Sequence, residues 1–234
     1  MTKKNKKHDY LFTTGLFIFY NFTWSFFIAK DTIFHPSYKS ILISLMRKLK
    51  TTEMNRLTIE EFKTAPKIPL VIVLDNIRSQ NNIGSVFRTA DAFRLEAVCL
   101  CGISATPPHR EINKTALGST DSVSWNYFTE TSVALESLHN EGYILMGVEQ
   151  TNTSIPLHLF RPQKEKRYAL IFGNEVNGLG EAVIPLLDGC IEIPQYGTKH
   201  SLNISVAAGI VIWDFFLNLT TFSKELQPFH KSPV

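Results

Sequence analysis

The stretch Leu70–Ala90, LVIVLDNIRSQNNIGSVFRTA, holds the pattern that decides the fold. Leu70–Leu74 is an unbroken apolar run rich in β-branched residues, the signature of a strand covered on both faces. A polar loop follows, and Ile83–Arg94 then reads as a helix. Outward from this unit the alternation repeats. Strands are predicted at Ala97–Cys101, Tyr143–Val148, Ala169–Phe172 and Ile191–Ile193. Helices are predicted at Ile112–Leu117, Val133–His139, Leu179–Leu187 and Leu202–Leu217. Upstream, Leu57–Lys63 reads as a short amphipathic helix, with Thr58 as its N-cap, Glu60 and Glu61 in its first turn, and Pro66 and Pro69 ending it. Strands alternating with helices predict the α/β class, with a mostly parallel sheet flanked by helices. No internal repeat or low-complexity linker interrupts residues 46–234, which read as one domain.

Composition agrees. The chain has 234 residues, 44% hydrophobic and 19% charged, enough to bury a full core and incompatible with wholesale disorder, a collagen-like repeat or a disulfide scaffold. Cys99, Cys101 and Cys190 form no metal-ligand spacing and suit a reducing compartment; the cytoplasm is expected, and no metal.

The net charge of +3 is unevenly placed. Residues 1–45 carry six Lys/Arg against Asp9 and Asp31, and residues 46–234 carry 18 Lys/Arg against 19 Asp/Glu. Between Tyr10 and Ala29 lie twenty uncharged residues, nine of them aromatic. Three readings compete for residues 1–45. A lysine-rich start before an apolar run resembles a signal or membrane anchor, but Thr13, Thr14, Asn21, Thr23 and Ser25 dilute it and no A-x-A site follows. It could be a helical appendage. The favoured reading is an extension foreign to the natural product, with Met46 as the true start. A membrane association is expected only if residues 10–29 are expressed.

Several chemistries are absent from the sequence: there is no GxGxxG after the first strand, no phosphate-binding GK[ST], no HExxH and no GxSxG. Three polar, glycine-containing segments remain, each beyond the end of a predicted strand, where open α/β sheets bind ligands. In Asp75–Ala90, Asn82 is placed to cap a helix, and Gly84, costing about 1 kcal/mol of helix propensity, points to a close approach of another backbone or a ligand. Arg88 lies about a turn further on. In Ile171–Leu179, Gly173 would let a ligand near the backbone and Glu175 offers a carboxylate. In Ile191–Gly209 a strand ends at Pro194 and a helix is predicted from Ser201, with Ser201, Asn203 and Ser205 in its first turns and apolar residues on nearly every side thereafter. Such a helix is buried in a core or between subunits. Each loop read alone is equally an ordinary capped helix or Asn/Gly turn.

Taken in order, Asn82-Ile83-Gly84…Arg88-Thr89-Ala90, Phe172-Gly173-Asn174-Glu175…Gly178 and Ile193-Pro194…Ser201-Leu202-Asn203-Ile204-Ser205-Val206-Ala207 resemble the three signature motifs of the SpoU/TrmH RNA ribose methyltransferases of the SPOUT superfamily. The likeness spans most of residues 46–220 and leaves residues 1–45 without a counterpart. It implies a C-terminal trefoil knot, an exception to the un-knotted rule, S-adenosylmethionine as methyl donor, and a homodimer whose sites use both subunits. It places Gly173, Ile193 and Leu202 at the cofactor, with Val148, Glu149 and Ser201 beside them, the backbone of Ile193 and Leu202 reading the adenine edge. It makes Arg88 the catalytic residue. Because a neutral guanidine is a costly base, Arg88 is expected to grip a phosphate and stabilise developing oxyanion charge, with Glu175 and Asn203 orienting the hydroxyl or the arginine and Asn82 shaping the pocket. The implied substrate is a tRNA or rRNA ribose 2′-hydroxyl. The alternatives are a base methyltransferase of the same fold and a non-catalytic RNA-binding dimer. Local basic clusters (Arg47/Lys48/Lys50, Arg78 with Arg88, Arg110/Lys114, Lys164/Lys166/Arg167) would have to meet RNA, since the domain as a whole is not basic.

Overall fold

In the computed structural model the described residues are 47–54 and 56–220. The N-terminal extension and Met46 lie outside them. The chain divides into two compact units, Met1–Glu53 and Met54–Val234. The described part of the first holds one 3-10 turn, Thr51–Glu53, and an ion pair between Arg47 and Glu53 at 2.8 Å.

The second unit opens with α1 (Ile59–Thr64). Thr58 caps it: its hydroxyl accepts from Glu61 N, and the Glu61 carboxylate accepts from Thr58 N, a reciprocal capping box. Then come β1 (Ile68–Asp75), α2 (Gln80–Ala92), β2 (Leu95–Cys101), α3 (Arg110–Ala116), α4 (Ser119–Ser122), β3 (Ser124–Phe128), α5 (Thr131–Asn140), β4 (Tyr143–Val148), β5 (Ile155–Pro156), β6 (Arg167–Phe172), β7 (Gly189–Glu192) and α6 (Ile204–Leu219). The strands form one sheet in the order β3-β2-β1-β6-β4-β7-β5, and every pairing is parallel.

Strand β1 shows why its apolar run is continuous. Leu70, Ile72 and Leu74 face one core with Ile83, Val86, Phe87 and Phe215, whereas Val71 and Val73 face a second core with Ala134, Leu135 and Leu138. Helices therefore cover both faces, and each of the Val, Leu, Ile and Phe side chains is worth about 1.5–3 kcal/mol over leaving it exposed. Helices α2 and α6 lie side by side and run parallel: Asn82 meets Asn203 at their starts, and Phe93 meets Trp213 and Phe216 at their ends.

Two sequence expectations give way, and one strand is not foreseen. Leu179–Leu187 forms no α-helix. A turn closes at Val183 N to Gly180 O (2.8 Å) and a 3-10 turn follows at Ile184–Leu186. Gly178 and Gly180 cost helix propensity, and Pro185 lacks the N–H and crowds the carbonyl four residues back. The last helix begins at Ile204 rather than in the Ser201–Leu202 turn, because Asn203 is its N-cap and accepts from Ser205 N at 2.9 Å. The edge strand β3, Ser-Trp-Asn-Tyr-Phe, has no fully buried residue and so no apolar run to announce it.

Candidate active site

The three polar loops converge at the carboxyl ends of the strands. After β1, Ser79 rather than Asn82 caps α2, its Oγ accepting from Asn82 N at 3.3 Å. The Asn82 side chain is thereby free to reach across the sheet. Its Nδ2 donates to Glu175 Oε1 (3.0 Å), and its Oδ1 accepts from Asn203 Nδ2 (3.2 Å). Asn203 Oδ1 in turn accepts from Ser205 Oγ at 2.6 Å. Serine, two asparagines and a carboxylate, drawn from three loops, thus form one chain in which every member donates in the same direction, toward Glu175. Bonds aligned in this way polarise one another.

The loop after β6 is a tight hairpin. Asn174 and Gly178 exchange both backbone bonds (3.1 and 3.0 Å), and Asn174 Oδ1 accepts from Val176 N and Asn177 N at 2.9 and 2.8 Å. Gly173 is required by the chain itself and not by a ligand: a Cβ there would lie 2.1 Å from the Gly178 carbonyl carbon. The approach at Gly84 is likewise to a backbone. Its missing Cβ would sit 2.3 Å from Ile112 O, so helix α3 crosses α2 at that residue.

A cavity of about 510 Å³ opens between the second and third of these loops and the end of β4. Val148, Glu149, Gly173, Ile193, Ser201 and Leu202 all line it, as do Glu175 and Asn203; Asn82 sits one hydrogen bond behind. Sequence reasoning gave no role to Gln150, Glu192 and His200, which also border it, as does Asn174 of the second motif. Gln150 could have been found by the strand-end rule, since it follows β4, and its Nε2 donates to His200 O at 3.3 Å. Among the described residues three glutamates (Glu149, Glu175 and Glu192) face the cavity and no Lys or Arg does. This donor set suits a ligand carrying positive charge and argues against a phosphate.

Arg88 is not brought to this cavity. It stands exposed on α2 and makes no side-chain hydrogen bond or ion pair among the described residues. Arg78 is exposed as well, while Arg110 and Lys114 share Glu111 at 3.9 and 3.8 Å, solvated pairs of little energy. Two of the expected basic clusters lose a member: Arg47 pairs with Glu53, and Arg167 pairs with Glu96 at 2.7 Å and stacks on the Tyr143 ring at 3.9 Å. Burial pushes the Tyr143 phenol well above its usual range, so it stays neutral beneath the guanidinium.

The model of the SpoU rRNA Methylase family matches residues 69–213, more than half of the chain. The chain belongs to this family. The 23S rRNA (guanosine-2′-O-)-methyltransferase RlmB of Neisseria meningitidis serogroup B is 30% identical to it over 144 residues, 62% of this chain and 56% of that protein. The A. aeolicus TrmH/SpoU tRNA modifying enzyme superposes with a TM-score of 0.62 at 22% identity, covering 74% of this chain and 86% of the other. The SpoU methyltransferase AviRb of Streptomyces viridochromogenes, solved with AdoMet, gives a TM-score of 0.60 at 22% identity, covering 66% and 62%. These likenesses confirm the α/β SpoU fold. This SpoU-family chain spans between half and two thirds of the length of the curated relatives it matches first.

Proposed function

We propose that this chain is an S-adenosylmethionine-dependent methyltransferase acting on a ribose 2′-hydroxyl of tRNA or rRNA. The observation that carries the reading is the cavity. It is lined by the second and third motif loops and the end of β4, with the first loop joined behind it through Asn82; among the described residues it is bordered by three carboxylates and no Lys or Arg, and its size lies within the range of roughly 300–1,000 Å³ that small-molecule sites occupy. A cofactor with a sulfonium and an ammonium group fits that donor set. Ile193 and Leu202 would flank its nucleoside and Gly173, Ser201, Val148 and Glu149 would complete the wall, with no metal required by the chemistry.

S-adenosylmethionine supplies a methyl group on a neutral leaving sulfide, so the donor needs no further activation. The chain's own work lies with the acceptor, which must be aligned and relieved of its proton. Glu175 terminates the donor chain with Oε1 taken by Asn82. Its second oxygen remains for an incoming hydroxyl. Asn203, Asn82 and Ser205 hold that carboxylate in place. Arg88, standing away from the cavity, serves a phosphate beside the reacting ribose and the charge that develops on its oxygen.

The apolar stripe of α6 supports a homodimer. Val206, Ile210, Trp213 and Leu217 lie on one side of the helix and are about half exposed, although α6 is otherwise a core element. Docking a second copy there would cover the stripe, which sits on the helix packed against α2, and would complete the site with groups that one chain keeps apart. The trefoil knot that the resemblance implies would lie in the C-terminal part of the domain, where β7 is inserted between β4 and β5. Three free, buried cysteines suit a cytoplasmic protein.

The test is to map 2′-O-methyl sites in total RNA from a strain lacking the protein against its parent. Loss of a single site that returns on complementation names the substrate. An unchanged ribose map with a lost base methylation would favour the base methyltransferase, and failure of the purified protein to bind S-adenosylmethionine calorimetrically would leave a binding dimer.

A further inference from the structure

The hairpin loop that carries Glu175 is held from both sides by carboxylates that no motif names. Strand β6 lies between β1 and β4. Asp75 is the last residue of β1, and Glu149 follows directly on β4. Each sends one carboxylate oxygen to the loop beyond β6, and they take consecutive amides: Glu149 Oε2 accepts from Leu179 N at 3.0 Å, and Asp75 Oδ2 accepts from Gly180 N at 3.2 Å. The opposite oxygens are anchored in turn. Asp75 Oδ1 accepts from Thr131 Oγ1 (2.5 Å) and Asn76 Nδ2 (2.7 Å), and Glu149 Oε1 accepts from Gln150 N at 3.0 Å. Gly178 leaves room for this contact, since a Cβ there would lie 2.2 Å from Glu149 Oε2. Asp75 is only 2% exposed and has no cationic partner among the described residues. A buried carboxylate costs several kcal/mol unless its oxygens are satisfied. Here backbone amides supply much of that satisfaction, which ties the cost of burial to the position of the loop.

We propose that Asp75 and Glu149 are positioning residues that clamp the Gly173–Gly180 loop from the two flanking strands and so hold the Glu175 wall of the cavity in its ligand-ready shape. This rests on the proposed S-adenosylmethionine site. Glu149, placed at the cofactor by resemblance, acts on it through the loop: both of its oxygens are already engaged by backbone amides. Asp75 does not border the cavity at all.

Asp75→Asn tests the clamp selectively. With its oxygen kept toward Thr131 and Asn76, the new amide NH₂ confronts Gly180 N–H, donor against donor. Amide hydrogen exchange of the full-length protein should accelerate about ten-fold or more in peptides covering residues 173–183, as expected on losing a bond to a charged acceptor, and stay unchanged in β1 and β6. Calorimetric affinity for S-adenosylmethionine should weaken about ten-fold, with kcat at saturating cofactor within about three-fold of the parent. Gly180→Ala keeps the amide, and its Cβ meets nothing closer than 3.7 Å, so its loop protection should match the parent. Exchange in the loop within two-fold of the parent, or acceleration spread over the whole sheet, overturns the proposal. Should Asp75→Asn not fold, Glu149→Gln is read by loop exchange alone: acceleration confined to residues 173–183 supports the clamp, and exchange within two-fold of the parent overturns it. If the parent binds no S-adenosylmethionine, the functional reading fails, yet the exchange experiment still decides whether the clamp exists.

Discussion

Substituting Gly84 by alanine sets two rules against each other. In the second turn of α2, intrinsic propensity favours alanine by about 1 kcal/mol. The packing reverses the sign. The added Cβ would lie 2.1 Å from Thr115 Oγ1 and 2.3 Å from Ile112 O, where a tolerable contact needs 3.0 Å. The threonine can rotate, at the loss of its bond to Asn81 O at 3.0 Å. The carbonyl belongs to the α3 backbone, so α3 must retreat from α2 by at least roughly 0.7 Å, and overpacking of this kind costs about 1–3 kcal/mol. Adding the lost hydrogen bond and subtracting the propensity gain leaves a net destabilisation of about 2 kcal/mol. For a domain of this size that lowers Tm by about 4–8 °C. Thermal unfolding followed by circular dichroism measures it directly. Gly84→Ala/Thr115→Ala removes the flexible obstacle and keeps the rigid one, so it should recover only part of the loss. A single variant as stable as the parent, or more so, would refute the argument, because propensity would then outweigh the helix crossing.

Other outcomes follow from the same geometry. Arg88→Ala should abolish RNA methylation while leaving S-adenosylmethionine affinity within about two-fold, since Arg88 does not border the cavity; lost affinity with normal turnover would refute that division of labour. Ile210→Glu places a charge in the exposed apolar stripe and should convert the proposed dimer to monomer by light scattering, without unfolding, because Ile210 is 41% exposed. Burial pushes the Cys99 and Cys101 thiols up to about 12, so neither should react with a thiol reagent at pH 8 until the chain unfolds. Their stabilising contribution is complete below the thiol range of the unfolded chain. It is lost between about pH 9 and 12 at up to about 1.4 kcal/mol per pH unit for each thiol, so urea midpoints should fall steeply on the alkaline side; a flat profile there would count against the buried placement.

What the sequence revealed depended on how local the signal was. The Leu70–Leu74 run and the loop glycines act through near neighbours, so the class, the central strands and the three loops could be read directly. Asn82 could be singled out but not understood, because its partners are 93 and 121 residues away and Ser79 had already taken the cap. Asp75 was invisible as a functional residue: it looked like the polar end of a strand, and the amide it holds is 105 residues on. Leu179–Leu187 misled because its apolar spacing is real but serves a turn. Leu179 and Val183 are buried in the second core without a helix to carry them.

The place of β6 bears on how the chain is made. Strand β1 lies in the middle of the sheet, yet one of its two neighbours, β6, pairs with it from Leu70↔Tyr168 to Leu74↔Phe172, about a hundred residues downstream. A chain emerging from the ribosome therefore carries β1 with one bare hydrogen-bonding edge until Arg167–Phe172 has been synthesised, and its first core stays uncovered until α6 follows. Parallel sheets joined at such separations close late, and the waiting strand is a long apolar edge of the sort that recruits other chains. Truncations ending before Arg167 should accumulate as aggregates, whereas the first truncation to yield soluble protein should be one that retains α6.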